Sequence, residues 1–289
     1  MPQRSRRTFI ARSAGLLSAS VFAYGRDALR DSNLGVELYT VRNIITKNPA
    51  EVLKAIQQIG YKEVEAVYAS LGDIGAALKD SGLKPVSVHV DTAVFMEGGA
   101  KLDDAFAKVK QFGFDYVVLP YIPPAQRGGL DTFKKLAETL NKSGAKANAA
   151  GLKLCYHNHA FEFEPLQGTT GFEILMHDTH KNLASLELDI FWASVAGHDP
   201  VALLKKYGDR IALLHIKDKK NGFPVQYSEK VPPDTFREAG NGSIDIPSVL
   251  AAAKKSAVRH YFVEQDQTPG SPIDSLRQSY RWLSGHFSS

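Results

Sequence analysis

The stretch Asp199-Pro200-Val201-Ala202-Leu203-Leu204-Lys205-Lys206-Tyr207-Gly208-Asp209-Arg210-Ile211-Ala212-Leu213-Leu214-His215-Ile216-Lys217-Asp218 shows the repeating unit of the fold in one pass. Asp199 before Pro200 reads as a helix start, since an acidic side chain can accept a free N–H of the first turn and a proline there gives up a donor the helix does not use. The helix spans Pro200 to Tyr207, and Gly208 marks its end. Ile211-Ala212-Leu213-Leu214 is then apolar at every position, the pattern of a parallel strand covered on both faces. The strand ends in His215 and Lys217, which a period of two places on one face.

The same alternation runs through the chain from about residue 33. Strands are expected at 34–40, 62–67, 85–90, 115–121, 152–157, 185–190, 211–216 and 260–264. The helices between and after them are Pro49 to Gln58, Leu71 to Asp80, Leu102 to Gln111, Asp131 to Ala149, Phe172 to His180, Pro200 to Tyr207, Ile246 to Lys255 and Ile273 to Ser284. Asn48 before Pro49 and the glycines Gly60, Gly82, Gly113, Gly151 and Gly208 supply start and stop signals. Strands separated by helices make right-handed βαβ crossovers. Eight such pairs fit the length of a closed (β/α)8 barrel, and the first turn, Leu38-Tyr39-Thr40-Val41-Arg42, lacks the glycines of a dinucleotide-binding sheet. The expectation is an α/β chain with one barrel domain over 33–289, in which the polar Gly/Pro-rich segment from Lys219 to Gly242 is a long loop after the seventh strand.

Charge sharpens this picture. The chain has 35 Lys and Arg against 31 Asp and Glu. The whole excess lies in residues 1–23, where Arg4, Arg6, Arg7 and Arg12 precede an apolar run from Ala14 to Ala23, too short to span a bilayer. Ser5-Arg6-Arg7-Thr8-Phe9-Ile10 resembles the twin-arginine export consensus, so a cleavable signal over 1–23, a linker over 24–32 and a periplasmic, electrically balanced mature protein are expected. Such balance argues against nucleic acid as a partner. A single cysteine, Cys155, excludes an internal disulfide and a thiolate zinc site.

In a barrel, function collects at the C-terminal ends of the strands. Those ends carry Glu37; Glu65; His89 and Asp91; His157, His159 and Glu162; Glu187 and Asp189; His215 and Lys217; Glu264 and Asp266. Singly, His89 or His159 suits a hydrogen-bonded structural role as well as a ligand. Together, carboxylates and imidazoles from several strands make a mixed oxygen and nitrogen shell for a divalent ion such as manganese, cobalt, zinc, iron or magnesium. Such an ion polarises a carbonyl and stabilises the enediolate formed when a neighbouring carbon loses its proton.

At Leu34-Gly35-Val36-Glu37-Leu38-Tyr39, Tyr156-His157-Asn158-His159-Ala160-Phe161-Glu162-Phe163, Leu188-Asp189, His215-Ile216-Lys217-Asp218, Gly240-Asn241-Gly242-Ser243-Ile244-Asp245 and Val263-Glu264 the sequence resembles the xylose isomerase-like TIM barrels, the sugar phosphate isomerases/epimerases. The resemblance implies a strand-end metal holding a keto-sugar or polyol, with acidic ligands from strands five and eight acting as acid and base on its two faces. It assigns Asp189, His215 and Glu264 as ligands. Strand five departs, having His157 where the epimerases have glutamate, so that either Glu162 reaches the metal or His157 replaces the carboxylate. The Tyr-His-Asn-His and Phe-Glu-Phe elements look like a subgroup that isomerises keto-sugars or eliminates and cleaves oxidised glycosides.

The resulting expectation is a metal-dependent sugar isomerase or epimerase, with a keto-glycoside lyase and a non-catalytic sugar-binding protein as alternatives. Glu264, His157, His159 and Glu162 are the candidate acid–base groups, and Glu162, Asp189, His215 and Glu264 the candidate ligands. Glu65, His89 and Lys217 would hold substrate hydroxyls, and Trp192 would stack on the sugar or lie in the core.

Overall fold

A computed structural model describes residues 34–287; the expected signal and linker lie outside the described residues. Its principal strands are β1 (Leu34–Glu37), β2 (Glu63–Val67), β3 (Lys84–His89), β4 (Tyr116–Leu119), β5 (Lys153–His157), β6 (Ala184–Asp189), β7 (Ile211–Ile216) and β8 (His260–Val263). They close into a barrel in the order β1-β8-β7-β6-β5-β4-β3-β2, every pair parallel. Around it run α1 (Pro49–Ile59), α2 (Leu71–Asp80), α3 (Gly99–Gln111), α4 (Leu130–Ala149), α5 (Gly171–Asp178), α6 (Pro200–Tyr207), α7 (Ile246–Ala253) and α8 (Pro272–Phe287). The (β/α)8 expectation is met by the described residues.

Alternation along the strands divides the apolar side chains into two cores. On β5, Leu154 and Tyr156 join the large core shared with the helices, together with Val36, Val88, Val117, Leu186, Leu214 and Val263. Cys155 instead joins Val86, Tyr116, Val118, Leu213 and Phe262 in a small separate core. This inner layer lies between two polar ones along the strands. Toward the strand N-termini, Glu63 bonds His260 at 2.6 Å and Lys153 donates to the Tyr116 hydroxyl at 3.4 Å. Toward the C-termini lie Glu37, Glu65, His89, His157, Glu187 and His215.

Where the structure departs from the sequence expectation, the cause is local. β1 ends at Glu37 because Leu38–Val41 winds into a 3-10 turn whose Tyr39 N–H donates to the Glu37 side chain at 3.0 Å. β4 stops before Pro120, which has no N–H for the ladder. Three short helices, Arg42–Ile45, Thr92–Glu97 and Ile190–Val195, were not expected. The long loop after β7 contains a small antiparallel pairing of Asp218–Lys219 with Phe236–Arg237. Asp199 caps α6 as read, accepting from the Val201 N–H at 2.9 Å. Gly208 serves by size, not by left-handed backbone: a Cβ there would lie 2.4 Å from the Leu204 carbonyl oxygen.

Gly35, on β1, lets the Phe262 ring fill the inner core. A Cβ at this position would lie 2.7 Å from Phe262 Cδ1 and 2.8 Å from the Glu63 carbonyl oxygen. Gly35→Ala should therefore lower unfolding free energy by about 1–3 kcal/mol. Urea denaturation followed by circular dichroism checks this; an unchanged midpoint would show that the inner core yields freely.

Candidate active site

Strand register brings the ionisable rim residues face to face. Glu37 stands beside Glu65, His157 beside Glu187, and Asp189 beside His215 in the ladder. His215, fully buried, bonds Glu264 Oε2 through Nδ1 at 2.9 Å and Glu65 Oε2 through Nε2. Glu187 Oε2 is shared by His89 Nε2 at 2.8 Å and His157 Nδ1 at 3.0 Å. Above this layer, Lys217 Nζ lies 2.6 Å from Glu264 Oε2, 2.8 Å from Asp266 Oδ1 and 2.9 Å from Asp189 Oδ2. Asp189 also accepts the Trp192 backbone N–H through Oδ1 at 2.9 Å, so one carboxylate both lines the site and starts the following helix.

These contacts set the protonation states. Burial opposes charging His215, but Glu187 and Glu65 raise its pKa well above the ordinary imidazole value; His89 is raised in the same way by Glu65 and Glu37. Burial likewise works against the Lys217 ammonium, yet Asp189, Asp266 and Glu264 keep it protonated. Glu264 is held well below the carboxylate range because Lys217 and His215 outweigh its burial. His157 and His159 are pushed down, first by burial and then by neighbouring cations, and stay neutral. Burial raises Asp189 to about 6.

The donor set fits a divalent ion. Ligand atoms of Asp189, His215 and Glu264 all lie within 4.8 Å of one another, and so do those of His89, His157, Glu187 and His215, and those of Glu37, Glu65, His89 and His215. Nitrogen and oxygen ligands about 2 Å from one ion must approach each other this closely. Further, Glu37 Oε2, Glu65 Oε1 and Glu187 Oε1 are buried without a hydrogen-bond partner. Orphaned carboxylate oxygens in a low-dielectric site are costly, and a cation offsets that cost.

The expected site residues are mostly assembled, with two changes of role. Glu65, His89, His157, Asp189, His215, Lys217 and Glu264 line one cluster, and His159 stands at its edge with its ring 5.0 Å from that of His157. Glu162 turns away. Its Oε1 accepts the Tyr156 hydroxyl at 2.6 Å and its Oε2 the His159 N–H at 2.9 Å, and it belongs to none of the ligand groups. His157, with Nε2 3.8 Å from Asp189 Oδ2, is the strand-five side chain that faces them. Trp192 is only 2% exposed, edge-on to Phe191 and Phe236 and tilted against His159, which leaves no open face for a sugar to stack on.

Glu37 and Glu187 join the cluster although neither stood among the chosen site residues. The signal was available for Glu187, two residues before Asp189 and on the same face. Arg127 gave none. Its guanidinium lies 3.5 Å over the Phe161 ring and 4.9 Å over Tyr121, and pairs with Glu229 of the long loop through two contacts, at 2.9 and 2.6 Å.

A parallel barrel with a buried carboxylate–imidazole cluster at its C-terminal mouth defines a class of enzyme scaffold. Residues 53–286 match the family described as Xylose isomerase-like TIM barrel, and the chain belongs to that family. Inosose dehydratase of Clostridium perfringens (strain 13 / Type A) is 32% identical over 163 residues, covering 53% of this chain and 54% of the relative. The match thus spans about half the length of that relative. A sugar phosphate isomerase/epimerase from Parabacteroides distasonis shares the fold with a TM-score of 0.74 at 21% identity, over 86% of this chain and 96% of its own. The IolI protein with a binding zinc atom does so with a TM-score of 0.68 at 18% identity, over 89% and 98%.

Burial raises Glu162 to about 8, so the folded protein keeps a proton that the unfolded chain releases near the ordinary value of 4.5. The stability tied to that proton is complete below about pH 4.5 and is lost as pH rises through about 8. Glu162→Gln removes the titration. Thermal unfolding from acid to alkaline pH should show the wild type losing stability relative to the variant across this window, and parallel profiles would refute the assignment.

Proposed function

We propose that the protein is a metal-dependent enzyme that removes a proton next to the carbonyl of a keto-sugar or keto-cyclitol and then expels a neighbouring hydroxyl or glycosyl oxygen. The observation that carries this reading is the asymmetry of the site. Glu264, Lys217 and Asp266 lie toward β8, while strand five contributes the neutral imidazoles His157 and His159 instead of a second carboxylate. Epimerisation on two faces calls for a base on each side of the carbon. Elimination needs one base, a stabilised oxyanion and a group that hydrogen-bonds the departing oxygen.

Asp189, Glu264 and His157 would hold the ion together with His215, which would give up its ring proton on ligation, and the ion would supply polarisation of the substrate carbonyl. Glu187, bonded to both His89 and His157, fixes the imidazole orientation. Glu264, kept ionised, accepts the carbon-bound proton. Lys217 and His89, both kept protonated, place positive charge where the enolate oxygen develops. His159, at the edge of the cluster, reaches the leaving oxygen. The similarity to an inosose dehydratase supports the same outcome. Isomerisation or epimerisation is the second reading: Glu264 alone could return the proton to the neighbouring carbon, and the fold is shared with epimerases.

We also propose export by the twin-arginine-type signal over 1–23 and a periplasmic location. In the described residues no helix is long and apolar enough to cross a membrane. An N-terminus beginning after Ala23 in a periplasmic fraction is the expected result; Met1 retained in the cytoplasm is the opposite one.

The functional test combines metal analysis of the purified protein with incubation of keto-hexoses and inososes in deuterated water. Wild type should contain a divalent ion and both deuterate and dehydrate a substrate. Glu264→Gln should lose at least a hundredfold in deuteration, on the order of a general base's contribution. Deuteration without loss of water or glycosyl group would select the isomerase reading, and a variant that exchanges as fast as wild type would refute both.

A further inference from the structure

Glu37 and Glu65 take no part in holding the ion placed above, yet each keeps a buried oxygen free. Both residues have 0% exposure. In each carboxylate one oxygen is engaged: Glu37 Oε1 accepts the Tyr39 N–H at 3.0 Å, and Glu65 Oε2 bonds His215 Nε2. The other oxygens, Glu37 Oε2 and Glu65 Oε1, have no hydrogen-bond partner. The two residues are neighbours in the ladder between β1 and β2, and their ligand atoms and that of His89 lie within 4.8 Å of one another. His89 Nε2 itself stands 3.3 Å from Glu65 Oε2 and 2.8 Å from Glu187 Oε2. Donors about 2 Å from one ion lie about 3 Å from each other, so these contacts have the spacing of a ligand shell.

We propose that Glu37, Glu65 and His89 hold a second divalent cation, on the opposite side of His215 from the first. The His215 ring divides the two sites: Nδ1 faces Glu264 and Asp189, at 2.9 and 3.9 Å, whereas Nε2 faces Glu65 and, at 3.4 Å, Glu187. An ionised carboxylate only accepts, so a free oxygen buried among other acceptors is satisfied by a cation where the protein offers no donor. The cation takes the place of the proton that His89 Nε2 shares with Glu65 and Glu187, and places positive charge beside the substrate in its stead. Two carboxylates with one imidazole make an oxygen-rich set suited to manganese or magnesium. The His89 side chain, 12% exposed, is the edge of the cluster at which such an ion enters. The second site rests on the placement of the first ion proposed above and makes the centre binuclear.

The test strips full-length protein with a chelator, reloads it with manganese(II) and removes the excess by desalting. Manganese per chain is then measured, the electron paramagnetic resonance spectrum recorded, and folding checked by circular dichroism. Wild type should retain two ions per chain, and their signal should be broadened by spin coupling because the two lie on either side of one imidazole ring. Glu37→Gln keeps the size of the side chain and its contact with Tyr39 but weakens the ligand; it should retain one ion and give the sharper signal of an isolated centre. One ion per chain in wild type, or two that do not couple, overturns the second site and leaves the first ion and the enolising function intact. A folded Glu37→Gln that keeps both ions, or loses both, overturns the assignment to Glu37, and the wild-type stoichiometry and coupling decide the matter if that variant does not fold. A wild type that binds no manganese overturns both sites.

Discussion

Everything at the mouth of this barrel depends on His215. It is fully buried, and its two nitrogens face carboxylates on either side, Glu264 and Glu65. A charged group so placed is stable only if the attraction of its partners exceeds the desolvation of all three, and removing any one leaves an uncompensated charge in the interior. The same reasoning extends outward. Glu65 and Glu187 both approach His89 and His215, and Glu187 also reaches His157, so the site is one shared network rather than a set of independent pairs. Its protonation pattern is set jointly by all members, as coupled titrating groups require.

A layered barrel interior makes this network affordable. The inner apolar cluster of Val86, Tyr116, Val118, Cys155, Leu213 and Phe262 separates the carboxylate–imidazole layer at the mouth from the polar layer of Glu63 and His260. The large core between strands and helices forms a separate apolar cluster, so most of the burial that drives folding lies outside the charged layer. Strand ends can then be given over to charge. This division of labour is the physical reason that the chemistry of such barrels resides at the C-terminal mouth.

Much of this was legible in the sequence because β-strand period and barrel closure are strong constraints. Once Ile211 to Lys217 is read as a buried strand, His215 and Lys217 must share a face, and the other strands place Glu65, His89, His157, Asp189 and Glu264 around the same axis. What the period could not give is side-chain direction beyond the strand. Glu162 looked like a replacement ligand because it is the nearest acid to His157. In the fold it lies in a 3-10 turn and is claimed by Tyr156 and the His159 N–H. Trp192 looked like a sugar platform because it follows Asp189, but the short helix that Asp189 starts rotates it into the aromatic packing. Arg127 and Glu229 were invisible because their meeting joins loops more than a hundred residues apart.

Loop geometry therefore carries the part of function that strands leave open. Asp218 follows Lys217 directly, and its carboxylate accepts the N–H groups of Lys219, Gly240, Gly242 and Ile244 at 2.8–3.1 Å. A Cβ at Gly242 would lie 2.3 Å from Asp218 Oδ1, so the Gly-Asn-Gly turn is shaped by that carboxylate. This anchor gathers both ends of the long loop at the end of β7, beside the lysine that faces Glu264. From there the loop reaches across Val195, whose carbonyl oxygen accepts the Gln226 N–H, to Arg127 beyond β4. Arg127 in turn packs on Phe161 and Tyr121, the rings that flank His159. One continuous chain of contacts thus joins the Glu264 side of the site, through Lys217 and Asp218, to the imidazole side at His159. The asymmetry between these two sides is consequently a property of the loop architecture as much as of the substituted residue on strand five.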